Sequence, residues 1–309
     1  MKTAIVTGGA GFIGSHLCDT LLEMDLKVIA IDSLITGNKE NIEHLKKNKR
    51  FCFIKKDIVK PITIKEKTDF VFNLASPASP VDYQKIPMQT ILANSIGTKN
   101  MLDFALKKKA VFLQASTSEV YGDPLEHPQS ETYNGNVNIT GPRACYDESK
   151  RFAETLCTYY CKEFNLKTRI ARIFNTYGPR MRKNDGRVIP NFITQALAGK
   201  PLTVYGDGKQ TRSFCYVSDL VEGIVKLAFS NYQKPVNLGN PEELTMTELA
   251  EKIKTLTGSN SKIVFTKLPE DDPAKRKPDI SIAERELNWK PKTSIEEGLK
   301  KTIEFFKEK

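Results

Sequence analysis

The sequence is poor in the residues that hold metal ions. Its 309 residues include only 3 histidines and 6 cysteines. The histidines are widely spaced, and the cysteines, at positions 18, 52, 145, 157, 161 and 215, form no Cys-x-x-Cys pair. Zinc and iron–sulfur sites need several such ligands at short spacing. We therefore predict no metal site, and we interpret the cysteines as reduced thiols of a cytoplasmic protein.

Long hydrophobic runs are also absent. No segment approaches the roughly 18 apolar residues that a membrane helix needs, so no membrane partner is expected. The first six residues already have the pattern of a strand, which leaves no room for a signal peptide. With 39% hydrophobic and 27% charged residues, the composition is typical of a globular protein with one large core and a smaller second lobe.

The chain has an excess of positive charge, +10 from 47 basic and 37 acidic residues. Such an excess is compatible with nucleic acid, an anionic membrane surface or an anionic small substrate. Much of it lies in lysine clusters at 46–50 and 107–109, where no aromatic residues interleave as a base-stacking surface requires. We interpret these clusters as solvated helix ends and predict no nucleic-acid partner.

The first half of the chain alternates between strand and helix patterns. Short apolar runs suited to buried parallel strands occur at 3–7, 27–32, 51–55, 69–74, 110–115 and 168–174. Helical patterns lie between them, including two longer helices over 90–109 and 146–165. This alternation predicts an α/β fold with a Rossmann-type, doubly wound parallel sheet. We assign residues 1–176 and about 213–240 to this domain, and about 177–212 and 241–309 to a smaller C-terminal lobe.

A glycine-rich turn follows the first predicted strand. Gly8, Gly11 and Gly14 stand between that strand and a helix, where glycine permits a tight turn and a close approach to a pyrophosphate. Asp32 ends the second strand, placed to bind the adenosine ribose and to repel a 2′-phosphate, so the predicted cofactor is NAD rather than NADP. Asp57 follows the third strand and is a candidate for the adenine end, although by itself a turn aspartate is the more ordinary interpretation.

A second constellation carries acid–base chemistry. Tyr146 and Lys150 are four residues apart, on one face of the second long helix. An ammonium group beside a phenol lowers the phenol pKa, which makes the tyrosine a base for a hydroxyl proton. Residues 115–122 end a predicted strand at the carboxyl edge of the sheet, where such folds place their chemistry. Beside the glycine turn, this pair predicts a hydride-transferring enzyme.

Together these motifs resemble the extended short-chain dehydrogenases/reductases that act on nucleotide sugars, and among them the UDP-glucuronate decarboxylases, which belong to the NAD-dependent epimerase/dehydratase family. The resemblance covers essentially the whole chain. The matching stretches are 8–14, 74–80, 116–122, 141–148, 172–181, 203–208, 237–241 and 271–279.

The resemblance implies decarboxylation of UDP-glucuronate to UDP-xylose without net consumption of NAD. Tyr146 would deprotonate the sugar C4 hydroxyl, with Thr117 holding that oxygen and Lys150 lowering the tyrosine pKa. Hydride transfer would leave a 4-ketone, the C6 carboxylate would then leave as carbon dioxide, and return of the hydride would complete the cycle. Glu119 would lie beside the reacting carboxylate with Ser118 next to it, and Arg276 would bind that carboxylate or assist proton movements.

The resemblance also implies binding residues at both ends of the site. Besides the glycines, Asp32, Asp57, Tyr146 and Lys150, the cofactor contacts it implies are Phe12, Ile13, Thr36, Gly37, Ile58, Leu74 and Ser76. The contacts it implies with the UDP-sugar, besides Arg276, are Asn175, Arg180, Asn191, Tyr205, Gln210 and Arg212. The two long helices would pair across a two-fold axis, so a homodimer is expected.

Other functions stay open at this point. A dTDP-glucose 4,6-dehydratase usually has Asp where this chain has Ser118, and a UDP-sugar 4-epimerase usually lacks a glutamate at the position of Glu119. A decarboxylase that stops at the UDP-4-keto-pentose is a further alternative. A non-catalytic binding protein of the same fold would have lost Tyr146 or Lys150, and both are present. Two departures from the decarboxylase pattern, Leu92 in place of Lys and Asn134 in place of Trp, leave the exact nucleotide sugar open.

Overall fold

A computed structural model describes residues 1–268 and 275–308. Part of one matching stretch, residues 271–274, therefore lies outside the described residues. The strands, in chain order, are Thr3–Thr7 (β1), Lys27–Asp32 (β2), Phe51–Lys55 (β3), Phe70–Asn73 (β4), Val111–Thr117 (β5), Thr168–Ile173 (β6), Thr176–Tyr177 (β7), Leu202–Tyr205 (β8), Thr211–Ser213 (β9), Cys215–Tyr216 (β10), Pro235–Leu238 (β11), Glu243–Thr245 (β12), Ile263–Thr266 (β13) and Lys275–Arg276 (β14).

Seven of these strands form one parallel sheet in the order β11-β6-β5-β4-β1-β2-β3. Helices cover both faces of such a sheet, so its central strands need apolar residues on both sides. All five residues of β1 and all four of β4 are buried, which is why their apolar runs are continuous rather than alternating. The doubly wound parallel sheet predicted from the sequence is confirmed, and each of its six predicted strands is found within two residues at either end.

The helices, in chain order, are Phe12–Glu23 (α1), Pro80–Lys85 (α2), Pro87–Leu92 (α3), Thr98–Lys108 (α4), Ala144–Phe164 (α5), Val188–Leu197 (α6), Val217–Phe229 (α7), Met246–Thr257 (α8), Ser281–Leu287 (α9) and Ile295–Lys307 (α10). Short 3-10 segments occur at Lys39–Leu45 and Ser118–Tyr121. None of the helices in the described ranges is long and apolar enough to span a membrane.

The helix predicted over 90–109 differs from the structure. It begins earlier, at Pro87, and a π-helical turn over Ala93–Gly97 separates α3 from α4. A π turn inserts an extra residue and rotates the following side chains. Here it turns Asn94 toward α5, where its Nδ2 donates to Ser149 Oγ at 3.0 Å. Hydrophobic spacing reports only the average period, so it did not reveal this break.

The C-terminal segments pack back onto the sheet. They form small sheets of their own, β13-β8 and β12-β9-β14. A reciprocal capping box between Thr245 and Glu248 starts α8, and Gly258 ends it in the left-handed conformation. One buried apolar cluster extends from Ala4 of β1 to Phe306 of α10. The residue boundaries given above for two lobes stay a prediction.

Candidate active site

A cavity of about 620 Å³ opens at the carboxyl edge of the parallel sheet. Chain segments that leave β1, β2, β4, β5 and β6 line it, together with residues from α6, β8 and β9. Every residue predicted for the site lines this cavity: Gly8, Gly11, Phe12, Ile13, Gly14, Asp32, Thr36, Gly37, Asp57, Ile58, Leu74, Ser76, Thr117, Ser118, Glu119, Tyr146, Lys150, Asn175, Arg180, Asn191, Tyr205, Gln210, Arg212 and Arg276.

The glycine turn is packed too tightly for larger residues. Gly8 has a φ of +69°, and its amide donates to Ile31 O at 2.8 Å. A Cβ on Gly14 would lie 2.1 Å from the carbonyl oxygen of Gly8. The start of α1 is therefore drawn against the end of β1, which leaves the first amides of the helix at the cavity wall, where a pyrophosphate is favoured.

Asp32 closes the turn from the neighbouring strand. Its Oδ2 accepts from the amide of Ala10 at 3.0 Å, and its Oδ1 accepts from the amide of Leu34 at 2.8 Å. Burial raises the pKa of Asp32, and these two amide hydrogen bonds oppose that rise. A Cβ on Gly37 would lie 2.7 Å from the carboxylate oxygens. A glycine cradle with a carboxylate at the end of β2 fits the residue pattern of an NAD site.

Asp57 occupies the position predicted for the adenine end, and it also stabilises a turn. Its Oδ1 accepts from the amide of Val59 at 2.9 Å, while the residue lines the cavity beside Ile58. The interpretation as a turn aspartate is therefore confirmed, whereas a contact with adenine stays a prediction.

Tyr146 and Lys150 lie on the first turns of α5, and both are buried. The Nζ of Lys150 lies 5.6 Å from the centre of the Tyr146 ring and donates to Ala115 O at 2.9 Å. Burial lowers the pKa of Lys150 to about 7. Burial raises the pKa of Tyr146, and a hydrogen bond with Thr117 and the charge of Arg187 act against that rise. That Lys150 lowers the tyrosine pKa stays a prediction.

Glu119 is clamped between two arginines. Its Oε2 accepts from Arg143 Nη2, and its Oε1 accepts from Arg276 Nη1. Burial raises the pKa of Glu119, but the charges of Arg276 and Arg143 outweigh burial and hold it at about 2. Glu119 is therefore an ionised carboxylate at neutral pH, and it is unsuited to donating a proton. Arg143 was not predicted for the site, although it lies in the matching stretch 141–148.

Sequence reasoning missed further charged and aromatic residues of the cavity wall. Tyr83 of α2 stacks on Tyr146, with ring centres 4.9 Å apart and 7° between the planes. Arg187, at the start of α6, pairs with Asp185 through two hydrogen bonds of 2.5 and 2.8 Å. Arg182 pairs with Asp82 of α2. These partners are far apart in the sequence or sit in loops, so no spacing signal marks them.

Several residues predicted for the UDP-sugar are held by hydrogen bonds or ion pairs within the cavity wall. The Nδ2 of Asn191 donates to Gly186 O at 3.1 Å, and the Nε2 of Gln210 donates to Tyr205 O at 2.6 Å. Arg180, with a φ of +69°, pairs with Asp19 of α1 at 2.7 Å. The guanidinium of Arg180 therefore bridges this wall and the helix that follows the glycine turn.

The two departures from the decarboxylase pattern differ in their position. Leu92 lines the cavity, so its side chain contributes an apolar surface where the decarboxylase pattern predicts a lysine. Asn134 is exposed, does not line the cavity, and contacts Arg151 through its backbone carbonyl at 2.7 Å. Of the two, only Leu92 is placed to affect what the cavity binds.

Comparison with known proteins covers almost the full chain. A family described as GDP-mannose 4,6 dehydratase matches residues 5–302. UDP-glucuronic acid decarboxylase 1 of Arabidopsis thaliana is 55% identical over 98% of this chain and 69% of its own length. The UDP-glucose 4-epimerase of Thermotoga maritima, crystallised with UDP-glucose, is 30% identical, with a TM-score of 0.92 over 99% of both chains. The UDP-glucuronic acid 4-epimerase of Bacillus cereus, crystallised with UDP-glucuronic acid and NAD, is 31% identical, with a TM-score of 0.89 over 100% of this chain and 99% of its own.

Proposed function

The chain belongs to the family described as GDP-mannose 4,6 dehydratase and, within it, with the UDP-glucuronic acid decarboxylases, and on this premise we propose that it converts UDP-glucuronate to UDP-xylose with bound NAD. The observation that carries the proposal is the Glu119 carboxylate clamped between Arg143 and Arg276, beside Tyr146 in the same cavity. Two arginines at the sugar end suit a substrate with a carboxylate.

The residues around the glycine turn fit NAD. The turn would hold its pyrophosphate, Asp32 its adenosine ribose, and Asp57 and Ile58 its adenine, while Thr36, Gly37, Leu74 and Ser76 complete the wall. NAD, when bound, supplies the acceptor for a hydride from the sugar and the donor that returns it. A carboxylate at Asp32 disfavours a 2′-phosphate, which supports NAD over NADP.

Tyr146 acts as the base in this proposal. Its phenol removes the proton of the C4 hydroxyl, and Thr117 holds the same oxygen by a hydrogen bond. Thr117 Oγ1 already accepts from the amide of Glu119 at 3.2 Å, so the threonine and the glutamate are positioned together. Lys150 lies one turn beyond Tyr146, held to the end of β5 through Ala115.

The arginine clamp acts on the carboxylate. Once C4 is a ketone, the C6 carboxylate is β to a carbonyl, and carbon dioxide can leave while the electron pair is held as an enolate. Arg276 would bind this carboxylate, and Glu119 keeps both arginine side chains aligned toward it. Because Glu119 is itself ionised, we assign it an electrostatic and positioning role rather than that of an acid.

The other functions that were left open share the fold, and the solved neighbours include epimerases. The 55% identity with a decarboxylase over 98% of this chain favours the decarboxylase over an epimerase or a dTDP-glucose 4,6-dehydratase. Whether the product is UDP-xylose or the 4-keto pentose is part of the test below.

We also propose that the protein is a cytoplasmic homodimer. Large apolar side chains are exposed on the two long helical segments: Met88 and Ile96 on the segment that contains α3 and α4, Phe152 and Tyr159 on α5. Phe152 and Tyr159 are seven residues apart and share one helix face. A Phe152→Glu variant that sediments as a monomer, beside a dimeric wild type, would support this proposal, whereas a monomeric wild type at micromolar concentration would overturn it.

The function is tested by proton NMR of the purified protein with UDP-glucuronate and catalytic NAD. The expected result is conversion to UDP-xylose without accumulation of NADH. UDP-galacturonate as the product would instead establish an epimerase, and the 4-keto pentose with stoichiometric NADH would establish the shortened reaction. Absence of any turnover would overturn the proposed substrate, with Leu92 as the first residue to exchange for lysine.

A further inference from the structure

Asp147 is a buried carboxyl group that the mechanism above does not use. It follows Tyr146 on the first turn of α5, is 5% exposed, and does not line the cavity. Its Oδ1 has no hydrogen-bond partner among the described residues. A buried carboxylate without such partners is costly, whereas the neutral acid is tolerated.

The charged and titratable groups that act on Asp147 come from α5 itself and from several segments around it. They are Glu119 of the 3-10 segment that follows β5, Arg143 just before α5, Arg276 of β14, Tyr83 of α2, and Tyr146 and Glu148 on α5 itself. Burial, and after it the charge of Glu119, raise the pKa of Asp147 to about 8, although the two arginines oppose the rise. Glu119, by contrast, stays ionised throughout the neutral range.

We propose that Asp147 is a positioning residue that tunes the Glu119–Arg143–Arg276 clamp, and that its neutral form is the one in which the clamp holds the carboxylate of the nucleotide sugar. This inference rests on the proposed function. The effect comes from the charge of Asp147 itself. When Asp147 ionises, it adds one negative charge near Arg143 and Arg276. That charge offsets part of the positive charge of the two arginines and repels the substrate carboxylate.

Binding of the sugar carboxylate can be distinguished from binding of the rest of the nucleotide sugar by comparing two ligands. UDP-glucose has the same uracil and pyrophosphate as UDP-glucuronate but no carboxylate. Titration of the uracil or of Lys150 therefore acts on both ligands, whereas ionisation of Asp147 weakens UDP-glucuronate selectively. The ratio of the two dissociation constants isolates the effect.

The experiment is calorimetric titration with UDP-glucuronate and UDP-glucose between pH 6.5 and 9.5. The protein is loaded with NADH, which offers no hydride acceptor, so that UDP-glucuronate binds without being converted. For the wild type, the preference for UDP-glucuronate is expected to fall by about tenfold across this range. In Asp147→Asn, which mimics the neutral acid, the ratio is expected to be flat. Glu148→Gln is the matched control, because Glu148 is the neighbouring carboxylate, more exposed and ion-paired with Arg151; it should follow the wild type.

A second measurement needs no variant. In buffers of different ionisation enthalpy at pH 8, binding of UDP-glucuronate to the wild type should take up a fraction of a proton that binding of UDP-glucose does not. A pH-independent ratio in the wild type, or an unchanged pH dependence in Asp147→Asn, would overturn the inference while leaving the proposed function intact. Failure to bind either nucleotide sugar at any pH would overturn both.

Discussion

Alanine substitutions at two glycines of the same turn, Gly14 and Gly11, are expected to affect stability differently. In Gly14→Ala the new Cβ would lie 2.1 Å from Gly8 O, 2.8 Å from Gly8 C and 3.0 Å from the Cα of Gly9, all of them backbone atoms. Because no side chain can rotate away, the end of β1 and the start of α1 must separate by about 1 Å. In Gly11→Ala the closest contact is 3.1 Å, also to Gly8 O, so a shift of a few tenths of an ångström suffices.

The cost of Gly14→Ala follows from these contacts. Overpacking costs roughly 1–3 kcal/mol, with backbone atoms at the upper end of that range, and alanine recovers up to about 1 kcal/mol as a better helix former inside α1. The net loss is about 2 kcal/mol, which lowers the Tm of the NAD-free protein by roughly 3 °C for a chain of this length. Gly11→Ala, at the N-cap of α1, should cost less than about 1 kcal/mol.

The assay is thermal unfolding of both variants, first without NAD and then with NAD added. Gly14→Ala should unfold earlier even without the cofactor. Gly11→Ala should unfold close to the wild type without NAD but gain less stability when NAD is added, since Gly11 lines the cavity. An NAD-free Gly14→Ala with the wild-type Tm, or two variants that are equally destabilised, would refute the steric reasoning.

Three further predictions concern buried polar groups. Glu154→Gln removes the charged partner of Arg172 in an ion pair of 2.8 Å in which both side chains are 12% exposed. The free energy of unfolding measured in urea should therefore fall by about 3 kcal/mol. Glu296→Gln, which breaks the exposed ion pair with Lys300, is the control and should leave the urea midpoint unchanged. Tyr146→Phe should lower kcat by orders of magnitude with little change in UDP binding by calorimetry, and near-normal turnover would remove Tyr146 from the mechanism. For Lys150, the folded-state pKa of about 7 lies below the unfolded value of 10.5, so between these pH values the unfolded chain binds more protons and wild-type stability rises with pH. The stability advantage expected for Lys150→Met at pH 6 should therefore shrink by pH 10, and a pH-independent difference would contradict the assignment.

The parts of the fold that follow from local periodicity could be predicted from the sequence. The buried strands of a parallel sheet appear as continuous apolar runs, and β1, β2 and β3 agree with their predicted bounds. The glycine turn was predictable because its chemistry is local, with strand, turn and helix contiguous. The π turn over Ala93–Gly97 was not, because an inserted residue within a helix leaves the polar and apolar composition unchanged.

The candidate site could be predicted only where motifs are contiguous. Tyr146 and Lys150 are four residues apart, and Ser118 and Glu119 adjoin Thr117, so they were found together. Arg143 was missed because its partner is 24 residues away, and the pairing of Arg276 with Glu119 spans 157 residues. A basic residue in a loop has no signature until the fold brings a buried carboxylate beside it. Resemblance suggested Arg276, but it did not suggest the clamp.

The charges around Tyr146 bear on how it becomes a base. Burial and the negative groups Glu119 and Asp147 favour its neutral phenol, whereas Arg187 and the Thr117 hydrogen bond favour the phenolate. Lys150 is close to half-protonated at pH 7, so a proton that leaves Tyr146 has an acceptor one helical turn away. The ionised tyrosine with a protonated lysine and the neutral tyrosine with a neutral lysine have the same net charge. Positive charge in the cavity selects between these two states, and the Asp185-anchored guanidinium of Arg187 provides part of that charge within the protein itself.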